Sequence, residues 1–175
     1  MRDTFSATAC QPPVNRIRII GVGSDYGEDR LGWHAVQALQ QAGLTVGAGE
    51  AAPEFHFCPR PGNDLLALLR GAHKVIIIDA MRSGAAPGTI CRFDADELDS
   101  LPAPLSSHAL GLRETLQLAA ALGDLPPQCI VFGIEMAHGQ QSLRYQAPLQ
   151  ARVDWHELAK RVEQEISNHV LVNDQ

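Results

Sequence analysis

Residues 74–80 read KVIIIDA. The four β-branched residues from Val75 to Ile78 lack the alternation of a strand with one wet face, so they predict a strand covered on both sides. Working outward, IRIIGV at 17–22, the segments 55–58 and 89–93, and CIVFGIEM at 129–136 also read as strands. Helical patterns lie between them. The first runs over about 30–42, with Trp33, Val36 and Leu39 on one face and Gly43 past its end. A short one covers 64–70. Another runs from a Ser106-Ser107 cap through Leu122, closed by Gly123. The last starts near Leu149 or Asp154 and ends near His169. Trp155, Leu158, Val162 and Ile166 form its stripe, and Asp154 with Glu157 its capping box. Residues 94–104 read as an acidic, proline-containing loop. Strands alternating with helices predict an α/β three-layer sandwich: a twisted, mostly parallel sheet of about five strands, helices on both faces. The expected organisation is one domain over 16–175 behind a flexible extension at 1–15.

The 175 residues carry 14 basic and 20 acidic side chains, a formal charge of −6. That balance argues against a nucleic-acid surface, which shows a basic excess. No apolar run has membrane-spanning length, and the opening residues lack the apolar stretch of a secretory signal. Cys10, Cys58, Cys91 and Cys129 form no C-x-x-C pair. They are expected to be reduced thiols in a cytoplasmic protein.

In parallel sheets, ligands sit beyond the carboxyl ends of the strands, and three stretches end there. GVGSDYGEDRLG, 21–32, is a glycine turn after the first strand. It resembles a dinucleotide loop, but Tyr26 breaks the G-x-G-x-x-G spacing, and Asp25, Glu28 and Asp29 would repel phosphates. The plainer reading makes Asp29 a helix cap. Asp79 ends the most buried strand, where a carboxylate needs a partner or a cation. Its partner is either backbone N–H groups or a metal. His108 opens a helix, a placement that favours the neutral imidazole a metal requires. A lone histidine is more often satisfied by a carbonyl. Taken together, two carboxylates and an imidazole suit a borderline divalent ion such as nickel or zinc, and three ligands leave room for substrate. Other patterns fail. His156-Glu157 lacks the second histidine of H-E-x-x-H, where Lys160 stands. Asp94, Asp96 and Asp99 lack the glycine and final glutamate of a calcium loop. Ser24, Ser83, Ser106 and Ser107 sit in turns or caps and form no nucleophile elbow.

Four stretches in order resemble the hydrogenase maturation endopeptidases: GVGSDYGEDRLG, VIIIDAMRSGAAPGTI, SSHALGLRETLQLAAALGDLP and CIVFGIEM. Together they cover most of 17–136. The resemblance implies an aspartic-type endopeptidase that trims the C-terminal extension of a nickel–iron hydrogenase large-subunit precursor. It implies that Asp29, Asp79 and His108 contact nickel carried by the substrate, with zinc or cadmium as a surrogate. It assigns no nucleophile or base, and it implies neither a nucleic-acid nor a membrane partner. The chain departs from the family pattern at Ser24, at Arg30 and in a one-residue-shorter opening loop. It also has CPRPG at 58–62 where the family has Gly-Gly-Thr-x-Gly. The Arg60 stretch and Arg30 keep one alternative open, a non-proteolytic metal or assembly chaperone for the same precursor; the glycine turn after the first strand keeps another, a nucleotide-binding α/β protein.

Overall fold

The computed structural model describes residues 16–24, 27–44, 52–100, 109–137 and 152–168. Five strands appear among them: β1 (Ile17–Val22), β2 (Glu54–Cys58), β3 (Lys74–Met81), β4 (Ile90–Asp94) and β5 (Gln128–Glu135). Four α-helices accompany them: α1 (Leu31–Ala42), α2 (Asn63–Leu69), α3 (Ala109–Leu122) and α4 (Trp155–Ser167). The sheet order is β2-β1-β3-β5-β4. β4 runs antiparallel to β5, and every other pairing is parallel. The expected sandwich is the one observed. The expected extension at 1–15 lies outside the described residues.

The continuous apolar runs have the predicted cause. All eight residues of β3 and all six of β1 are buried. On one face Ile19, Ile76, Ile78 and Phe132 meet Leu31, Val36 and Leu39 of α1 and Leu158, Val162 and Ile166 of α4. On the other, Ile20, Val22, Val75, Ile77 and Val131 meet Leu65 and Leu69 of α2 and Leu112, Leu116 and Ala119 of α3. Each buried cation is satisfied at the amino edge. Lys74 donates to the Glu165 carbonyl in α4. Arg18 binds Glu54 at 2.9 Å and the Leu68 and Arg70 carbonyls at 2.7 and 2.9 Å. That arginine holds the Glu54 carboxyl below its ordinary range.

Three glycines seat α1 directly on the sheet. A Cβ on Gly21 would lie 2.8 Å from Val36 Cγ2. One on Gly32 would overlap the Val22 carbonyl oxygen and stand 2.5 Å from that of Ile78. One on Gly23 would overlap the Asp29 carbonyl oxygen. Gly21, Gly23 and Gly32 therefore face the protein's own backbone. That use weighs against a phosphate cradle, in which the bare backbone would face a ligand.

Three local expectations change. Residues 97–100 form a 3₁₀ helix (Glu97–Ser100) inside the expected loop. Its first side chain turns back, so that Glu97 Oε2 accepts the Asp94 N–H at 2.8 Å, as in a local cap. The α1 helix starts after a 3₁₀ turn (Gly27–Arg30), and Arg30, with no side-chain cap bond, occupies the N-cap instead of Asp29. Trp33 leaves the core face. It meets Phe57 edge-on, with ring centroids 6.1 Å apart. The Gly43 and Gly123 stops hold, with φ of 65° and 73°, and Asp154 accepts the Glu157 N–H at 2.9 Å.

Candidate functional site

β1 leads to β2 on one side, and β3 lies on its other side, so the carboxyl ends of β1 and β3 border the switch point of the sheet. Two of the predicted site residues are here. Asp79 is 3% exposed, and its Oδ1 accepts the Ala80 N–H at 2.8 Å. Asp79 is in register with Gly133 of β5 and one residue beyond the Gly21–Ile78 pair. Gly133 leaves space that Met81 occupies: a Cβ there would be 3.0 Å from Met81 Cγ. Asp29 is partly buried on the turn after β1, and its Oδ2 accepts the Ser24 hydroxyl. The absence of a Cβ at Gly23 is what brings the Asp29 backbone onto the strand end. His108 lies outside the described residues. The helix it precedes, α3, packs on the face that carries Asp79, since Leu112 and Leu116 share a core with Val75 and Ile77. Among the described residues, no three His, Cys, Asp or Glu side chains are grouped to hold a metal.

Cys58 closes β2 on the same face. Its thiol donates to the Arg60 carbonyl at 3.2 Å. Burial first, then the charges of Asp64 and Asp79, push its pKa up to about 11. At neutral pH it stays a thiol and is no nucleophile. Cys129 is pushed up to about 12, by burial and then by Asp94. Cys58, Cys91 and Cys129 are all free thiols, and Cys10 lies outside the described residues.

These shifts predict a pH effect of definite sign. An unfolded chain loses each of the two thiol protons near pH 9, whereas the folded protein keeps the Cys58 proton to about 11 and the Cys129 proton to about 12. Between those limits the native state binds more protons, so stability falls as pH rises. Denaturant midpoints measured from pH 8 to 11 should drop above pH 9. The Cys58→Ala/Cys129→Ala double variant should flatten that drop. An equal drop in the variant would refute this assignment.

Glu135 is a fixed point that the sequence reading quoted only as part of a strand. It is fully buried, yet its carboxylate accepts N–H bonds from Ser83 at 2.8 and 3.1 Å and from Gly84 at 3.0 Å. It also accepts the Ser83 hydroxyl at 2.7 Å. The segment after β3 is thereby tied to β5, beside Asp79. The available signal was the one used for Asp79: a carboxylate at the end of a buried strand must be paired. Glu135→Gln swaps an acceptor oxygen for a donor facing these N–H groups. It should cost about 2 kcal/mol and speed amide exchange at Ser83 and Gly84. Unchanged exchange there would contradict the latch.

Of the remaining candidates, Asp94 has structural partners. Asp94 pairs with Arg92 at 2.9 Å in both arms of the fork, and Arg92 also reaches Glu165 at 2.5 Å. These anions keep the Arg92 guanidinium firmly charged. The three line a cavity of about 400 Å³ at the amino edge of β5, at the far end of that strand from Gly133. His156 and Glu157 are exposed on the first turn of α4. No helix among the described residues is long and apolar enough to cross a membrane.

Comparison with known proteins reaches the same region. The family model for hydrogenase maturation protease matches residues 61–168. A hydrogenase expression/formation protein of Thiocapsa roseopersicina is 29% identical over 122 residues, which are 68% of this chain and 53% of that protein. The chain thus spans about half the length of that relative. The fold matches a hydrogenase maturating endopeptidase from E. coli: TM-score 0.59, 23% identity, 83% of this chain and 92% of that one. It also matches a NiFe hydrogenase maturation protease from Thermococcus kodakarensis: TM-score 0.60, 21% identity, 87% of this chain and 99% of that one. By the match over 61–168, more than half of its length, the chain belongs to the hydrogenase maturation protease family.

Proposed function

We propose that this protein removes the C-terminal extension of a nickel–iron hydrogenase large-subunit precursor in the cytoplasm, after nickel insertion. Nickel enters as part of the substrate, with zinc or cadmium able to stand in for it. Asp29, Asp79 and His108 recognise it there. The observation that carries this reading is Asp79: a carboxylate 3% exposed at the switch point, with Asp29 held on the turn after the neighbouring strand. Two oxygen donors and one imidazole suit a borderline divalent ion. The chain's part is to bind and orient. Ser24 holds the Asp29 carboxylate, the Ala80 N–H holds that of Asp79, and Glu135 stiffens the segment beyond it. Both serines in these contacts serve carboxylates, and Cys58 is protonated, so none of them is offered as a nucleophile.

The test is the intact mass of a co-expressed precursor, with and without nickel and with and without this protein. Loss of one defined C-terminal peptide only when both are present is the expected result. A stable complex of unchanged mass would favour the assembly-chaperone reading, and neither cleavage nor a complex would remove both.

A further inference from the structure

The loop after β2 is braced so as to carry one side chain outward. Pro59 and Pro61 fix two of its φ angles. The Cys58 thiol turns the Arg60 carbonyl inward, and Gly62 accepts the Leu66 N–H at 2.8 Å. Pro61 stands against the first turn of α3, where a Cβ on Gly111 would be 2.6 Å from Pro61 Cγ. Arg60, exposed, sits at the tip of this brace. Arg82 is the exposed residue that follows β3, three past Asp79.

These two guanidinium groups differ from those of the other described arginines. Arg16 and Arg18 bind Glu54, Arg70 binds Asp124, Arg92 binds Asp94 and Glu165, and Arg161 binds the Ile90 carbonyl. Arg30, Arg113 and Arg152 are engaged as well. Among the described arginines, only Arg60 and Arg82 have a guanidinium with neither an ion pair nor a hydrogen bond. In a chain of net charge −6, both stand at the carboxyl edge, just past the ends of the two strands that flank β1. Two strand spacings put the ends of β2 and β3 roughly 10 Å apart. A short extended peptide crossing the switch point would pass both.

We propose that Arg60 and Arg82 are specificity-determining residues that grip carboxylates on the peptide to be removed. The guanidinium fork matches a carboxylate bidentately. The expected substrate is therefore a C-terminal extension that is acidic near the scissile bond or that ends within reach of this edge. This inference rests on the processing reading above.

The experiment uses the full chain and its nickel-loaded precursor and measures cleavage kinetics and binding at about 50 and 300 mM salt. Arg60→Glu and Arg82→Glu should each raise KM and weaken binding by about tenfold or more, with kcat little changed. The Lys variants should fall between, and the loss should shrink at the higher salt. Changing extension Asp and Glu residues to Lys should rescue the Glu variants if side-chain carboxylates are gripped. Appending three residues to the precursor should mimic the loss if the terminal carboxylate is gripped. Cleavage with KM and binding unchanged in both Glu variants would overturn the inference and leave the processing reading intact. A wild-type protein that neither binds nor cleaves the precursor would overturn the processing reading itself, and this inference with it.

Discussion

An Asp79→Asn protein is expected to fold normally and to lose precursor processing almost entirely. Asparagine has the shape of aspartate and keeps an oxygen for the Ala80 N–H, which Asp79 Oδ1 now accepts at 2.8 Å. What disappears is a negative charge from a site that is 3% exposed. Burying a carboxylate costs free energy that its partners offset, so a neutral amide of the same shape should leave the fold in place and the melting temperature near that of the wild type. Activity should fall. Removing groups that only support a metal ligand costs about 10- to 100-fold, so removing a residue proposed to meet the nickel itself should cost about 100-fold or more. The diagnostic result is the combination of a near-wild-type melting temperature with precursor that stays uncut. An Asn variant that processes at the wild-type rate would eliminate Asp79 as a nickel-recognising residue.

Gly32→Ala should have the largest effect on stability. Helix propensity alone favours alanine by about 1 kcal/mol, since Gly32 lies in the first turn of α1. The close approach outweighs that preference. A Cβ would overlap the Val22 carbonyl oxygen and stand 2.5 Å from the Ile78 oxygen. Both neighbours are backbone atoms of central strands, so no side chain can rotate away. Overpacking a well-filled core costs about 1–3 kcal/mol, occasionally more, and here the whole helix would have to lift. A net loss of about 3 kcal/mol or failure to accumulate folded protein is expected. Gly43→Ala is the control: its Cβ meets nothing within 4 Å, and only its φ of 65° opposes alanine. Equal stability of Gly32→Ala and wild type, by denaturant titration, would refute the seam.

The two aspartates were not equally legible in the sequence. Asp79 could be read because Val75 to Ile78 announce a doubly covered strand, and whatever follows such a strand lies at its carboxyl end. Asp29 could be placed after β1, but its partner could not. The Ser24 contact depends on how the turn closes, and a cap was the obvious expectation. The glycines of that turn show the same limit. Their spacing resembles a ligand loop, and only the fold reveals that Gly21, Gly23 and Gly32 meet Val36, Asp29, Val22 and Ile78. Trp33 was misplaced because helical periodicity does not register a neighbour contributed by another strand, here Phe57. Glu97 illustrates a shorter-range failure. Its side-chain carboxylate accepts the Asp94 N–H just ahead of the 3₁₀ turn, a local cap of which composition carries no trace.

The glycine seam also bears on how freely this corner of the molecule can change. Gly23 lies against the Asp29 carbonyl and Gly32 against Val22, so the turn between them is held at both ends by main-chain contact. Adding or deleting a residue between two such anchors changes the closure entropy by only about 0.1–0.2 kcal/mol. A one-residue change in the length of this turn is therefore thermodynamically cheap, while Asp29 keeps its backbone contact. Length changes between residues 24 and 28 can therefore accumulate without moving the Asp29 backbone off the strand end.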